Sequence, residues 1–161
     1  MTVWISGILD TWASFYSNHA MMRTLIGFLH IGGLVIGGGC AISADRLTLL
    51  AARRGSAERT NQLGMLRGTH RIVLISLSAV IVSGLFLFAA DTGTFLHSIL
   101  FWVKMAMIGV LMANGLLLVR AERLAESGTV QAWRTLTITS TVSVVLWMLT
   151  TLAGAALPNI G

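Results

Sequence analysis

The chain has 161 residues, of which 55% are hydrophobic and 11% charged, against about 25% charged in an ordinary soluble domain. Mean hydropathy is +0.82, and there is one proline and one cysteine. These values exclude a disordered chain, a collagen, a disulfide-stapled secreted module and an ordinary cytosolic enzyme, and leave an integral membrane protein.

Residues 3–17 place Trp4, Ile5, Ile8, Trp12, Phe15 and Tyr16 near one helical face, the pattern of a short amphipathic helix lying in the outer membrane interface. Asp10 interrupts this stretch, no basic segment precedes it and no clear cleavage site follows, unlike a secretory signal peptide. Four uncharged runs follow: 24–44, 72–90, 105–119 (extended upstream by 96–103 as far as Lys104) and 135–161. A bilayer core of about 30 Å takes about 20 helical residues to cross. The runs therefore predict spans over 22–44, 71–90, 97–119 and 135–157, the third requiring Lys104 to sit near a helix end with its ammonium at the interface. The runs are continuous rather than alternating, so helices are expected. Trp102 and Trp133 fall near span ends, where indole rings favour the headgroup zone.

The connections differ sharply in charge. Segment 45–71 carries Arg46, Arg53, Arg54, Arg59, Arg67 and Arg71, and segment 120–134 carries Arg120, Arg123 and Arg134, whereas the other side has Arg23 and Lys104. The positive-inside rule puts both Arg-rich segments in the cytoplasm and both termini on the periplasmic side of a bacterial inner membrane. This asymmetry accounts for the net charge of +5 without a nucleic-acid partner, and the arginines suit anionic headgroups. The first helix is expected to run on past the membrane, break at Gly55-Ser56, and lead helically into the second span. Asp91 is expected to cap or close the outer turn DTGTFLH. The expected architecture is an all-α, four-transmembrane-helix antiparallel bundle, a single membrane domain over 1–161.

Small residues mark the first span: Gly32, Gly33, Gly37, Gly38 and Gly39, with Gly33 and Gly37 forming GxxxG and Ala41 continuing the row. The row has two readings, plain helix packing or room for a flat cofactor. Hydroxyls crowd span four (Thr135, Thr137, Thr139, Ser140, Thr141, Ser143, Thr150, Thr151), where they can bond back to their own helix carbonyls.

Ionisable groups within a membrane point to a site. His30 lies about six residues inside the first span, roughly 9 Å deep. His97 opens the third span, His70 opens the second on the Arg-rich side, Asn114 lies within the third, and His19 lies outside the first. No Asp or Glu falls within the predicted spans, which argues against a proton-coupled transporter. Imidazole is a good axial ligand for haem iron, and four-helix bundles hold cofactors between facing helices. The expected cofactor is therefore haem b with iron on His30. His97, some 10 Å shallower, is the candidate partner ligand, and His70, roughly 20 Å away in depth, would serve a second haem. Met107, Met112 and Met148 are further axial candidates and also ordinary bundle filler. Lys104 is placed for a haem propionate, a quinone headgroup or a lipid phosphate. Cys40 reads as a small packing residue. No P-loop, HExxH, CxxC or GxSxG is present, so an electron carrier or accessory subunit is expected rather than a stand-alone enzyme.

Three segments, FLHIGGLVIGGG, THRIVLISLSAVIVSGLFLFAAD and FWVKMAMIGVLMANGLLL, resemble small bacterial four-helix membrane proteins akin to the copper-resistance D family and b-type membrane cytochromes. The resemblance implies an inner-membrane bundle with haem- or copper-linked redox work, and it carries over to His30, His70, Lys104 and Asn114. No Met- or His-rich copper motif lies outside the spans. The leading expectation is a b-type haem protein in electron transfer, alone or as a subunit of a larger redox complex. The alternative is a cofactor-free accessory subunit. Either would have the lipid bilayer and a membrane-protein partner or a second copy as its surroundings.

Overall fold

The computed structural model describes residues 2–54 and 56–160, with side-chain surroundings for all but residues 2–5, 56, 67, 158 and 160. The described chain is helical, without a strand: α1 (Thr2–Asn18), α2 (Ala20–Ala52), α3 (Ser56–Ala90), α4 (Thr92–His97), α5 (Ile99–Ala125) and α6 (Val130–Ile160). Four segments are long and apolar enough to cross a membrane, Ala20–Ala52, Ala57–Ala90, Ile99–Ala125 and Val130–Leu157. Less than a third of each apolar window is buried within the chain, and Phe28, Leu74, Leu116 and Leu152 are all at least 62% exposed. Such a surface is stable only against lipid or another protein.

The ends of the helices follow local chemistry. Asp91 caps α4 by accepting from the Thr94 amide at 3.2 Å, and Ser98 caps α5 by accepting from the Phe101 amide at 3.3 Å. Gly128, at φ +71°, turns the chain out of α5, and Thr129 Oγ1 then accepts from the Ala132 amide at 3.4 Å in the first turn of α6. The helices outrun the predicted spans on the Arg-rich side, because a helix does not stop at its first charge. His97, expected to open the third span, instead ends the short α4, and Ser98 starts the long helix. The predicted break at Gly55-Ser56 falls between α2 and α3; Gly55 itself lies outside the described residues, as do the side chains of Trp4, Ile5 and Arg67.

The long helices pack in the order α3, α2, α6, α5, so α2 is central and touches both α3 and α6. Glycine allows this. A Cβ on Gly33 would lie 2.7 Å from Val80 Cγ2 and 3.0 Å from the Ser76 carbonyl oxygen; one on Gly37 would lie 2.8 Å from Ser76 Cβ. On the facing side, a Cβ on Gly38 would lie 3.1 Å from the Trp147 ring. The GxxxG row is therefore taken up by close helix packing inside the chain. Gly32 and Gly39 have nothing within 4 Å. At the Arg-rich end an apolar core of Leu118, Ala121, Ala125, Ala132, Trp133 and Leu136 ties α5 to α6, with Ala52 and Leu63 packed against it. The Arg59 guanidinium lies over the Trp133 ring, 5.2 Å from its centroid. Helix α1 rests on α3 and α2. Its Trp12 ring packs at a tilt on Phe86 with centroids 5.2 Å apart, and Trp12 Nε1 donates to the Phe86 carbonyl at 3.0 Å.

Gly33→Ala and Gly37→Ala should each destabilise the protein by about 1–3 kcal/mol through overpacking. Gly32→Ala and Gly39→Ala should be neutral or slightly stabilising, since Ala gains up to about 1 kcal/mol over Gly in a helix. Chemical denaturation of the four variants in mild detergent checks the contrast; equal effects would show that the row is not packed as described.

Candidate functional site

The inward helix faces hold two polar clusters, one near the Asp91 end and one near the Arg-rich end. The first centres on His30 of α2. Its ring is partly buried, and its Nδ1 lies 3.1 Å from the Val80 carbonyl oxygen and 3.1 Å from Ser83 Oγ, both on α3. A carbonyl oxygen only accepts, so Nδ1 carries the proton. Ser83 Oγ donates to the Ala79 carbonyl at 2.6 Å, which leaves its lone pairs for His30. Nε2 takes part in no hydrogen bond among the described residues. Gly84 makes room for the ring: a Cβ there would lie 3.2 Å from His30 Cε1.

Lys104 lies within electrostatic reach of His30. It is partly buried, six residues into α5. Its Nζ sits 3.2 Å from where a Cβ on Gly154 of α6 would be. The ammonium thus turns across onto α6 instead of running straight to the helix end. Two glycines, on α3 and α6, leave space for the two cationic or basic side chains of α2 and α5.

The other histidines are placed differently. His97 is exposed, its Nδ1 donating to the Gly93 carbonyl at 2.7 Å. His70 bonds through Nε2 to both carboxylate oxygens of Glu122, at 2.7 and 2.8 Å. His19 donates from Nδ1 to the Phe15 carbonyl at 2.8 Å and stacks on the Phe15 ring. Met112 and Met148 are exposed, and Cys40 is a free, partly exposed thiol. The structure thus places Lys104 within electrostatic reach of His30, and leaves His97 exposed and His70 on Glu122.

The second cluster was not anticipated. Asp45 of α2 is 3% exposed and Glu122 of α5 is 8% exposed. Asp45 faces Ser140 and Ser143 of α6, with His70 and Glu122 in electrostatic reach. Ser140 Oγ is buried without a hydrogen-bond partner. Beside them Gln62 Nε2 donates to the Ala44 carbonyl and to Thr48 Oγ1, each at 3.2 Å. Asp45 and Glu122 fall just beyond the predicted spans, on helices that continue to Ala52 and Ala125, and pack inward there. Helical spacing holds the missed signal. Gly38, Asp45, Thr48 and Ala51 form one buried stripe of α2, and Leu111, Asn114, Leu118, Glu122 and Ala125 form one of α5. Among the described residues no three His, Cys, Asp or Glu side chains come together as a metal site.

Between the clusters, Asn114 Nδ2 donates to the Thr139 carbonyl at 3.1 Å and joins α5 to α6. Many span-four hydroxyls bond to their own helix; Thr135, Thr137, Thr139 and Thr141 each donate to the carbonyl four residues back.

No family model, curated protein or solved structure matches the chain. Asn114→Ala should cost about 0.6–1.7 kcal/mol, the range of interhelical hydrogen bonds in membranes, and unfolding in detergent or bicelles reads it; no loss would mean the Asn114 amide is not bonded across to α6.

Proposed function

We propose that the chain is a small b-type haem protein that carries electrons in a bacterial inner membrane. In this reading it is a four-span antiparallel bundle, α1 lies in the outer interface, both termini are periplasmic, and the Arg-rich connections are cytoplasmic. One observation carries the proposal: His30 has Nδ1 tied to the Val80 carbonyl and Ser83, with Nε2 in no hydrogen bond. A metal-ligating imidazole needs this arrangement, because the bond at one nitrogen fixes the tautomer and aims the other.

Each neighbour then has a task. Val80 and Ser83 hold the ring, Gly84 leaves space beside it, and Lys104 offers a positive charge for a carboxylate such as a propionate. The bound haem would supply one-electron chemistry, and the low charge of the surroundings would tune its potential. His70 also has one nitrogen, Nδ1, in no hydrogen bond among the described residues, but its Nε2 is held by the Glu122 carboxylate; His30 is held by a carbonyl and a hydroxyl of α3, and the proposal assigns it as the protein's iron ligand. The resemblance to b-type membrane cytochromes points the same way. The exposed apolar faces suit a position beside a larger redox complex. Gly33 and Gly37, through which a cofactor-free accessory subunit would dock, are covered by α3.

The test is a reduced-minus-oxidised spectrum of the protein purified in mild detergent from haem-replete cells. The expected result is a Soret and an alpha band that His30→Ala abolishes and His19→Ala keeps. A colourless wild-type protein, or bands that survive His30→Ala, would overturn the proposal.

A further inference from the structure

The Arg-rich end of the helix pack holds ionisable groups that the haem reading does not use. Asp45 comes from α2, His70 from α3 and Glu122 from α5, while α6 contributes the hydroxyls of Ser140 and Ser143. Among the described residues, the charged groups acting on Asp45 are Glu122 and His70. The neighbouring Arg46, Arg71 and Arg123 are exposed. With both carboxylates ionised and the imidazole protonated, the cluster carries one net negative charge. An uncompensated charge away from water is costly, and one further proton removes it.

We propose that Asp45, His70 and Glu122 form a proton-binding site in which Asp45 takes up and releases one proton, with Ser140 as its hydrogen-bond partner. Ser140 Oγ, on a residue 1% exposed, makes no hydrogen bond, which leaves it open to Asp45. A hydroxyl donates to a carboxylate and accepts from a carboxylic acid, so Ser140 serves both states of Asp45 without a backbone movement. Exposure falls stepwise into the cluster: the His70 side chain is 26% exposed, that of Glu122 10%, and Asp45 3%. His70 is thus the point of entry. Hydronium at the Arg-rich surface gives up a proton and becomes water, an O–H bond forms on Asp45, and no electron moves. The site lies about four helical turns, roughly 22 Å, from His30 along α2, so it stands or falls independently of haem.

The experiment is infrared difference spectroscopy on the full chain in lipid nanodiscs, titrated between about pH 8 and pH 5, where unperturbed carboxylates stay ionised. The expected result is a single reversible carboxylic-acid carbonyl band, lost in Asp45→Asn and shifted in frequency in Ser140→Ala. Absence of the band from the wild type, its survival in Asp45→Asn, or an unmoved frequency in Ser140→Ala would overturn the proposal. Should Asp45→Asn fail to fold, the wild-type band and the Ser140→Ala shift decide the question.

Discussion

The close approach of α2 to α3 and α6 is the constraint on which the rest depends. Lipid tails are as apolar as leucine, so helices in a bilayer gain little from hydrophobic attraction to each other and associate through close packing and hydrogen bonds. Gly33 and Gly37 let α2 sit directly on the Ser76–Val80 turn of α3, and Gly38 lets it sit under Trp147 of α6. Once α2 is held between them, its polar residues have fixed neighbours. His30 meets Val80, Ser83 and Gly84, and Asp45 meets Ser140 and Ser143. A larger residue at the glycine contacts would move both clusters at once.

The outer helices complete the arrangement. Helices α3 and α5 pack on α2 and α6 respectively, and side chains join the two near their ends: Phe88 stacks on Phe101 with centroids 5.4 Å apart, and His70 bonds to Glu122. Between these two ties Lys104 and Asn114 reach from α5 to α6. Polar side chains such as His30, His70, Asn114 and Glu122 thus find partners between the helices, while the apolar residues cover the outside, the distribution a bilayer demands.

Much of the fold was legible in the sequence, because a charge-free run of twenty residues has few alternatives to a spanning helix. The four long helices, the short α1, the break around Gly55 and the Asp91 cap all follow from hydropathy and capping chemistry. The glycine row was visible, but its two readings separated only when Val80, Ser76 and Trp147 were seen to fill the space against it. The site was less legible. His30 and Lys104 stood out as ionisable residues in apolar surroundings, yet their common level depends on which way α5 faces. Asp45 and Glu122 are not marked by hydropathy, which ends a span at its first charge; helical phase decides whether a residue near an end points inward. His97 and His70 looked alike as span-opening residues; one is exposed and the other is held by a carboxylate 52 positions along the chain.

The claim tested most directly is that α3 fixes the His30 ring with one nitrogen bonded and the other bare. Solid-state nitrogen NMR of histidine-labelled, haem-free protein in bilayers reads this, with the His30 signal identified by its loss in His30→Gln. The account predicts a proton on Nδ1 and none on Nε2. A ring protonated on Nε2 with Nδ1 bare would contradict it.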